Sequence, residues 1–142
     1  MKTSESKFCK CFYFTANALA RKIEKLAIDS WKEANLSPSH AYLLFVVLEE
    51  PGVQPGFLSE QLQLTPSTVT RLIEKLEEKK LVSRTFEGKV TNVFPTDSAK
   101  ALVPLMKKCM NDFYNKYNSL LGEQESAQLV RSMAEMADKL KD

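Results

Sequence analysis

Apolar residues recur at helical spacing over most of this chain. From Phe8 to about Lys32, the positions Phe12, Leu19, Ile23, Leu26 and Trp31, with Ala16, Ala20 and Ala27 among them, keep a helical period that no Pro or Gly interrupts. This predicts a long first helix. Ser37-Pro38 then reads as an N-cap followed by proline at the first helical position, where the missing N–H costs nothing. A second helix is expected from about Pro38 to Glu49. Its run from Tyr42 to Leu48 is continuously apolar, and the cap and the length favour a helix buried on more than one side over a strand. Pro51, Gly52 and Pro55 break the pattern, so a short third helix is expected from Gln54 or Pro55 through Leu62. Thr65-Pro66 repeats the cap-plus-proline signal. It opens a fourth helix in which Val69, Leu72, Ile73 and Leu76 fall at i, i+3, i+4 and i+7. The opposite face carries Ser67, Thr68, Thr70, Arg71, Glu74 and Lys75, and Glu77 to Lys80 form a charged tail.

The pattern then changes period. Leu81 to Phe86 and Lys89 to Phe94 are rich in Val, Thr and Phe and flank Glu87-Gly88, a two-residue turn signal in which glycine supplies positive φ. A β-hairpin is expected, ended by Pro95. Thr96 is the next cap, with Asp97 well placed against the helix dipole, and Leu102, Leu105, Met106, Cys109, Met110, Phe113, Tyr117 and Leu120 carry a fifth helix to about Leu121. Gly122 is expected to end it. Leu129, Val130, Met133, Met136, Ala137 and Leu140 mark a sixth amphipathic helix from Glu123 to Leu140.

A short helix, a turn, a second helix with a polar exposed start, and a hairpin directly after it are the order of a winged helix-turn-helix. The fold class is therefore mainly α, with about six helices and a small β-hairpin wing. A helix fits the major groove of B-DNA, and side chains of its first two turns reach base edges while flanking cations meet phosphate. Ser67, Thr68, Thr70 and Arg71 occupy those turns. Arg71 can donate a bidentate pair of hydrogen bonds to guanine, whereas Lys75, Lys79 and Lys80 suit the surrounding field or the backbone.

Charge sharpens this reading only modestly. The 142 residues hold 20 basic and 18 acidic side chains, a formal charge of +2. Residues 65–96 contain 6 basic and 4 acidic side chains, against none and 3 over residues 36–64. Non-specific affinity for DNA grows with the number of phosphate contacts, so one such lobe binds weakly and two copies bind better. The long first, fifth and sixth helices carry more apolar surface than a reader of this size needs. Their stripes predict pairing across a two-fold axis and a pseudo-palindromic duplex as partner.

On these residues the chain resembles the MarR family of transcriptional regulators over nearly its whole length. The resemblance rests on Leu36-Ser-Pro-Ser39, on the segment from Phe57 to Arg84 with Leu64-Thr-Pro-Ser-Thr-Val-Thr-Arg71 at its centre, and on Phe94-Pro-Thr-Asp97 leading out of the wing. It implies a cytoplasmic homodimer that reads double-stranded DNA with the fourth helix, and repression relieved by a small aromatic or hydrophobic ligand or by an oxidant. It implies one domain per chain, 1–142, with a DNA-binding lobe at 36–96 and a helical dimerisation region at 1–35 and 97–142. It implies that Ser67, Thr68, Thr70 and Arg71 lie in the groove; Lys75, from its place on the same helix, joins the DNA-binding set, with Arg84 and Lys89 as backbone candidates. One departure lies in the wing: the family commonly has a longer loop with an Asp-Arg pair, and Thr85-Phe-Glu-Gly-Lys-Val90 is short and has neither.

Other signals carry bland and functional readings side by side. Cys9 and Cys11 are expected in the first helix and Cys109 in the fifth, either as small packing residues or as a thiol-based redox sensor. Lys7 and Lys10 would favour a thiolate. Three cysteines are too few for a disulfide scaffold and point to a reducing compartment. Trp31, His40, Tyr42 and Phe45 either pack between helices or line an effector pocket. A single histidine, no glycine-rich phosphate loop and no nucleophile arrangement argue against an enzyme, and neither a metal nor another cofactor is expected. No apolar run approaches the length of a membrane span, and the N-terminus lacks the apolar core of a signal peptide. A winged-helix module that binds protein rather than DNA is the competing class.

Overall fold

The computed structural model describes residues 1–140. It contains α1 (Phe12–Trp31), α2 (Pro38–Glu49), α3 (Pro55–Leu62), α4 (Pro66–Glu78), strands β1 (Val82–Glu87) and β2 (Val90–Pro95), α5 (Asp97–Leu121) and α6 (Glu123–Lys139), with 3₁₀ turns at Thr3–Glu5 and Lys32–Ala34. The mainly helical winged architecture expected from the sequence is present. The chain packs as two compact units, residues 31–109 and residues 1–30 with 110 onward.

Two of the expected boundaries shift. The first helix begins at Phe12 rather than Phe8, because Cys9 N donates to Ser6 O and Cys11 N to Phe8 O in three-residue turns. Cys9 and Cys11 therefore precede the helix, and the first four-residue bond runs from Thr15 N to Cys11 O at 2.9 Å. In the hairpin, Glu87 pairs with Val90, so the turn residues are Gly88-Lys89 rather than Glu87-Gly88. Gly88 has φ +62 and Lys89 is not among the positive-φ residues, which is the glycine-first order of a two-residue II′ turn.

In the 31–109 unit the caps behave as the sequence suggests. Ser37 Oγ accepts from His40 N at the start of α2, Thr65 Oγ1 accepts from Thr68 N at the start of α4, and Thr96 Oγ1 accepts from Ala99 N at the start of α5. Val69, Leu72, Ile73 and Leu76 are all buried on one side of α4, which packs against α2, α3 and β1. Burying a Leu or Ile is worth roughly 1.5–3 kcal/mol, more than a whole short helix gains from intrinsic propensity, so this stripe holds α4 in place. Leu43, Leu44 and Val47 of α2, Leu58 of α3 and Val93 of β2 complete a core with no exposure to solvent. Gly52 bends the chain toward β2 with φ +88, donates from its N–H to Val93 O at 2.8 Å, and precedes an isolated bridge between Val53 and Val93. Pro104 sits inside α5 without ending it, although its ring leaves the carbonyl of Lys100 without the usual helical donor.

Among its described residues the other unit has helices and turns and no strand. Lys116 Nζ lies 3.8 Å from Asp29 Oδ2, linking α5 and α1, and Phe113, Tyr114 and Tyr117 form edge-on aromatic pairs at 5.1 and 5.6 Å. An apolar cleft of about 170 Å³ opens among Leu19, Ile23, Phe113, Tyr117, Leu129 and Met133. Gly122, with φ +91, separates α5 from α6 as expected. Leu120, Leu121, Leu129, Val130, Met133, Met136 and Leu140 remain exposed, far more apolar surface than a solitary helical unit of this size conceals.

Candidate nucleic-acid interface

The candidate interface is built on the start of α4 and the hairpin that follows it. Thr65, in extended conformation at φ −68 and ψ 152, turns the chain into the helix, and Pro66 fixes the first helical φ. The hydroxyl of Thr65 lies 2.9 Å from Thr68 Oγ1 and 3.3 Å from Ser67 Oγ, so the cap is a small hydroxyl cluster. Thr70 Oγ1 donates to Pro66 O at 3.0 Å, which leaves its oxygen lone pairs turned outward as acceptors. Ser67, Thr70 and Arg71 are exposed and Thr68 is half-buried. Arg71 makes no ion pair or hydrogen bond with any described residue, and its five donors are directed at solvent.

The lysines expected to tune the field divide into distinct roles. Lys75 lies 3.4 Å from Glu78, a loose and exposed pair. Lys79 Nζ donates to Asn35 O at 2.7 Å, tying the end of α4 to the left-handed residue that precedes α2. Lys80 has φ +61 and its carbonyl accepts from Thr96 Oγ1 at 2.7 Å, so its backbone fixes where the hairpin returns. Neither tie is visible in the sequence, because each joins residues that no periodicity relates.

Arg84 is the largest departure from expectation. Its Nη2 donates to Glu77 Oε1 at 2.8 Å and its Nε to Glu77 Oε2 at 3.2 Å, a bidentate pair between β1 and the last turn of α4. Glu77, with Glu74 adding to it, holds the guanidinium above its ordinary range. Val82, Arg84 and Phe86 share one face of β1, as alternation requires. Val82 is buried, Arg84 meets Glu77, and Phe86 extends past them with two-thirds of its surface exposed. The Arg84 guanidinium carbon lies 5.8 Å from the centre of the Phe86 ring. Lys89, at the turn, is exposed and makes no ion pair with a described residue.

Side by side, α3, the left-handed residue Gln63 at φ +54, the capped start of α4 and an antiparallel wing make up a winged helix-turn-helix. Residues 34–89 match the sequence profile of the MarR family. The chain has the MarR-family fold. That family consists of DNA-binding transcriptional regulators rather than enzymes. The MarR fold extends across the whole chain: the structure of CouR from Rhodococcus jostii RHA1 bound to p-coumaroyl-CoA superposes with a TM-score of 0.85 at 16% identity, covering 98% of this chain and 100% of that one. The MepR–DNA complex of Staphylococcus aureus gives 0.78 at 20% identity, covering 92% and 98%. In sequence the chain is 24% identical over 123 residues to the HTH-type transcriptional repressor MdtR of Bacillus subtilis, which spans 84% of this chain and 79% of that protein.

The remaining candidates scatter. Trp31 is fully buried and packs edge-on against Phe45 at 5.8 Å, with its indole N–H unpaired. His40 and Tyr42 are two residues apart on α2, about 200° around a helix, so they turn to different faces. His40 is half-buried, its Nδ1 bonded to the Ser37 hydroxyl, and burial, then Lys79 and Lys75, lower its pKa. Cys9 is half-buried, Cys11 exposed and Cys109 fully buried. Among the described residues no group of three or more His, Cys, Asp or Glu could hold a metal, and no helix is long and apolar enough to cross a membrane.

Proposed function

We propose that this protein is a cytoplasmic, sequence-specific regulator that binds a pseudo-palindromic DNA duplex as a homodimer and represses transcription until a small aromatic or hydrophobic effector binds. The observation that carries the reading is the start of α4, where Ser67, Thr68, Thr70 and the unpaired Arg71 stand on the polar side of a helix whose other side is locked into the core. Arg71 reads a base, Ser67, Thr68 and Thr70 follow the groove, and Lys75 and Lys89 meet phosphate. The lobe at 36–96 carries DNA, and the helices at 1–35 and 97–142 pair through their exposed apolar stripes. Similarity to a named repressor and to a repressor solved with an acyl-CoA supports the repressor and effector parts of the reading. Of the effector-pocket candidates, Trp31 and Phe45 lie in contact with one another.

Duplex binding measured against ionic strength tests this function. DNA recognition weakens as salt rises, in proportion to the phosphates contacted. Absence of duplex binding at low salt would assign the fold to a protein-interaction module instead.

A further inference from the structure

The loop of the wing is short and has no Asp-Arg pair, and the two cations of the wing are unequal. Arg84 is paired with Glu77, and Lys89, exposed and without an ion pair to a described residue, is the one cation the tip offers DNA. The tip also presents apolar surface: Phe86 is 67% exposed and Val90 41%. Phe86 is also directed. It stands on the β1 face that Val82 and Arg84 turn toward α4, opposite Thr91 in the ladder, and about 7 Å nearer the tip than Arg84 at the usual rise of a strand. The Arg84 guanidinium, pinned from one side by two hydrogen bonds to α4, supports the ring from the other.

We propose that Phe86 contacts DNA beside Lys89, as an apolar wedge against the sugars and base edges of the minor groove, with Arg84 and Glu77 as its positioning residues. The inference rests on the DNA-binding reading above. The occupant follows from continuity: the face that carries Phe86 is fastened to the helix placed in the adjacent major groove, and insertion of apolar side chains is an established way for proteins to engage the minor groove. An apolar contact of this kind releases no counterions, so its energetic signature differs from that of a lysine on phosphate.

The test uses the 142-residue chain and a duplex recovered from a random-sequence pool by the wild type. Binding is titrated over a range of salt for wild type, Phe86→Ala, Phe86→Trp and Lys89→Ala, and hydroxyl-radical footprints are taken. Phe86→Ala is expected to weaken binding by about tenfold with an unchanged slope of log K against log salt, and to lose the protection of minor-groove sugars beside the α4 contact. Phe86→Trp retains both, and Lys89→Ala lowers the slope by about one. Equal affinity and equal footprints for Phe86→Ala and wild type would overturn the proposal while leaving the regulator reading intact, and would turn Phe86 toward a protein contact. Wild-type protein that selects no duplex would overturn both. Because Phe86 is exposed, thermal melts of the variants serve to show that folding is unchanged.

Discussion

The guanidinium of Arg84 grips the carboxylate of Glu77 through two hydrogen bonds, and this pair joins the first strand of the wing to the last turn of α4. The side chains are only partly exposed, at 25% and 39%, so the pair is better shielded than an ordinary surface bridge. Orientation of the wing thus depends on a contact internal to the protein, made by the residue that sequence reasoning had reserved for phosphate.

A double-mutant cycle on Glu77→Ala and Arg84→Ala measures that coupling. We expect about 1 kcal/mol from denaturant unfolding, at the upper end of exposed pairs because the geometry is bidentate. Strictly additive losses would mean that the pair does not hold the wing.

Gly52 is a backbone position with little tolerance for a side chain. At φ +88 a side chain is strained, and a Cβ there would stand 3.2 Å from two ring carbons of Phe94. Gly52→Ala is expected to destabilise the fold by roughly 1–2 kcal/mol, visible as a Tm lowered by several degrees. An unchanged Tm would show that the loop before α3 readily finds another path.

Much of this was legible from the sequence, and the reasons are local. Ser37-Pro38, Thr65-Pro66 and Gly122 mark helix ends by capping chemistry that acts within three or four residues, and all three appear where expected. The buried stripe of α4 was legible for the same reason, since a 3.6-residue period needs no partner to be read. The start of α1 was not, because apolar residues from Phe8 onward continue the period while the backbone is still in three-residue turns. Nor was the turn register, where a shift of one residue leaves the Val-Thr-Phe pattern nearly as good. At the site, Ser67, Thr70 and Arg71 could be read as exposed, but Glu77 looked like a solvated helix end. Its partner lies past the end of the helix, and only the fold brings Arg84 back to it.

His40 gives the fold a pH dependence of known sign. Burial and the two lysines lower its pKa below 6.5 in the folded state, so between that lowered value and 6.5 the unfolded chain binds more protons. Its contribution is fully present above about pH 6.5 and is lost as pH falls through that window. Urea midpoints at neutral and mildly acidic pH are expected to fall less for His40→Gln than for wild type. An identical pH slope in both proteins would remove His40 from this role.

The proposed homodimer makes the exposed apolar stripe of α6 sensitive to charge. Val130 is 53% exposed and Met133 44%. Val130→Asp or Met133→Asp is expected to weaken self-association at least about tenfold in sedimentation equilibrium. Helicity should be retained. A variant that dimerises as tightly as wild type would move the interface elsewhere.

The central claim is that the start of α4 reads DNA sequence, with Arg71 as its principal contact. It is tested most directly by the ratio of affinities for a duplex selected from genomic fragments and for a scrambled duplex, at one salt concentration, for wild type and Arg71→Ala. We predict that wild type prefers the selected duplex by about a thousandfold or more, and that Arg71→Ala loses about 1–3 kcal/mol of that preference while remaining dimeric. A ratio that is the same in both proteins would contradict the account.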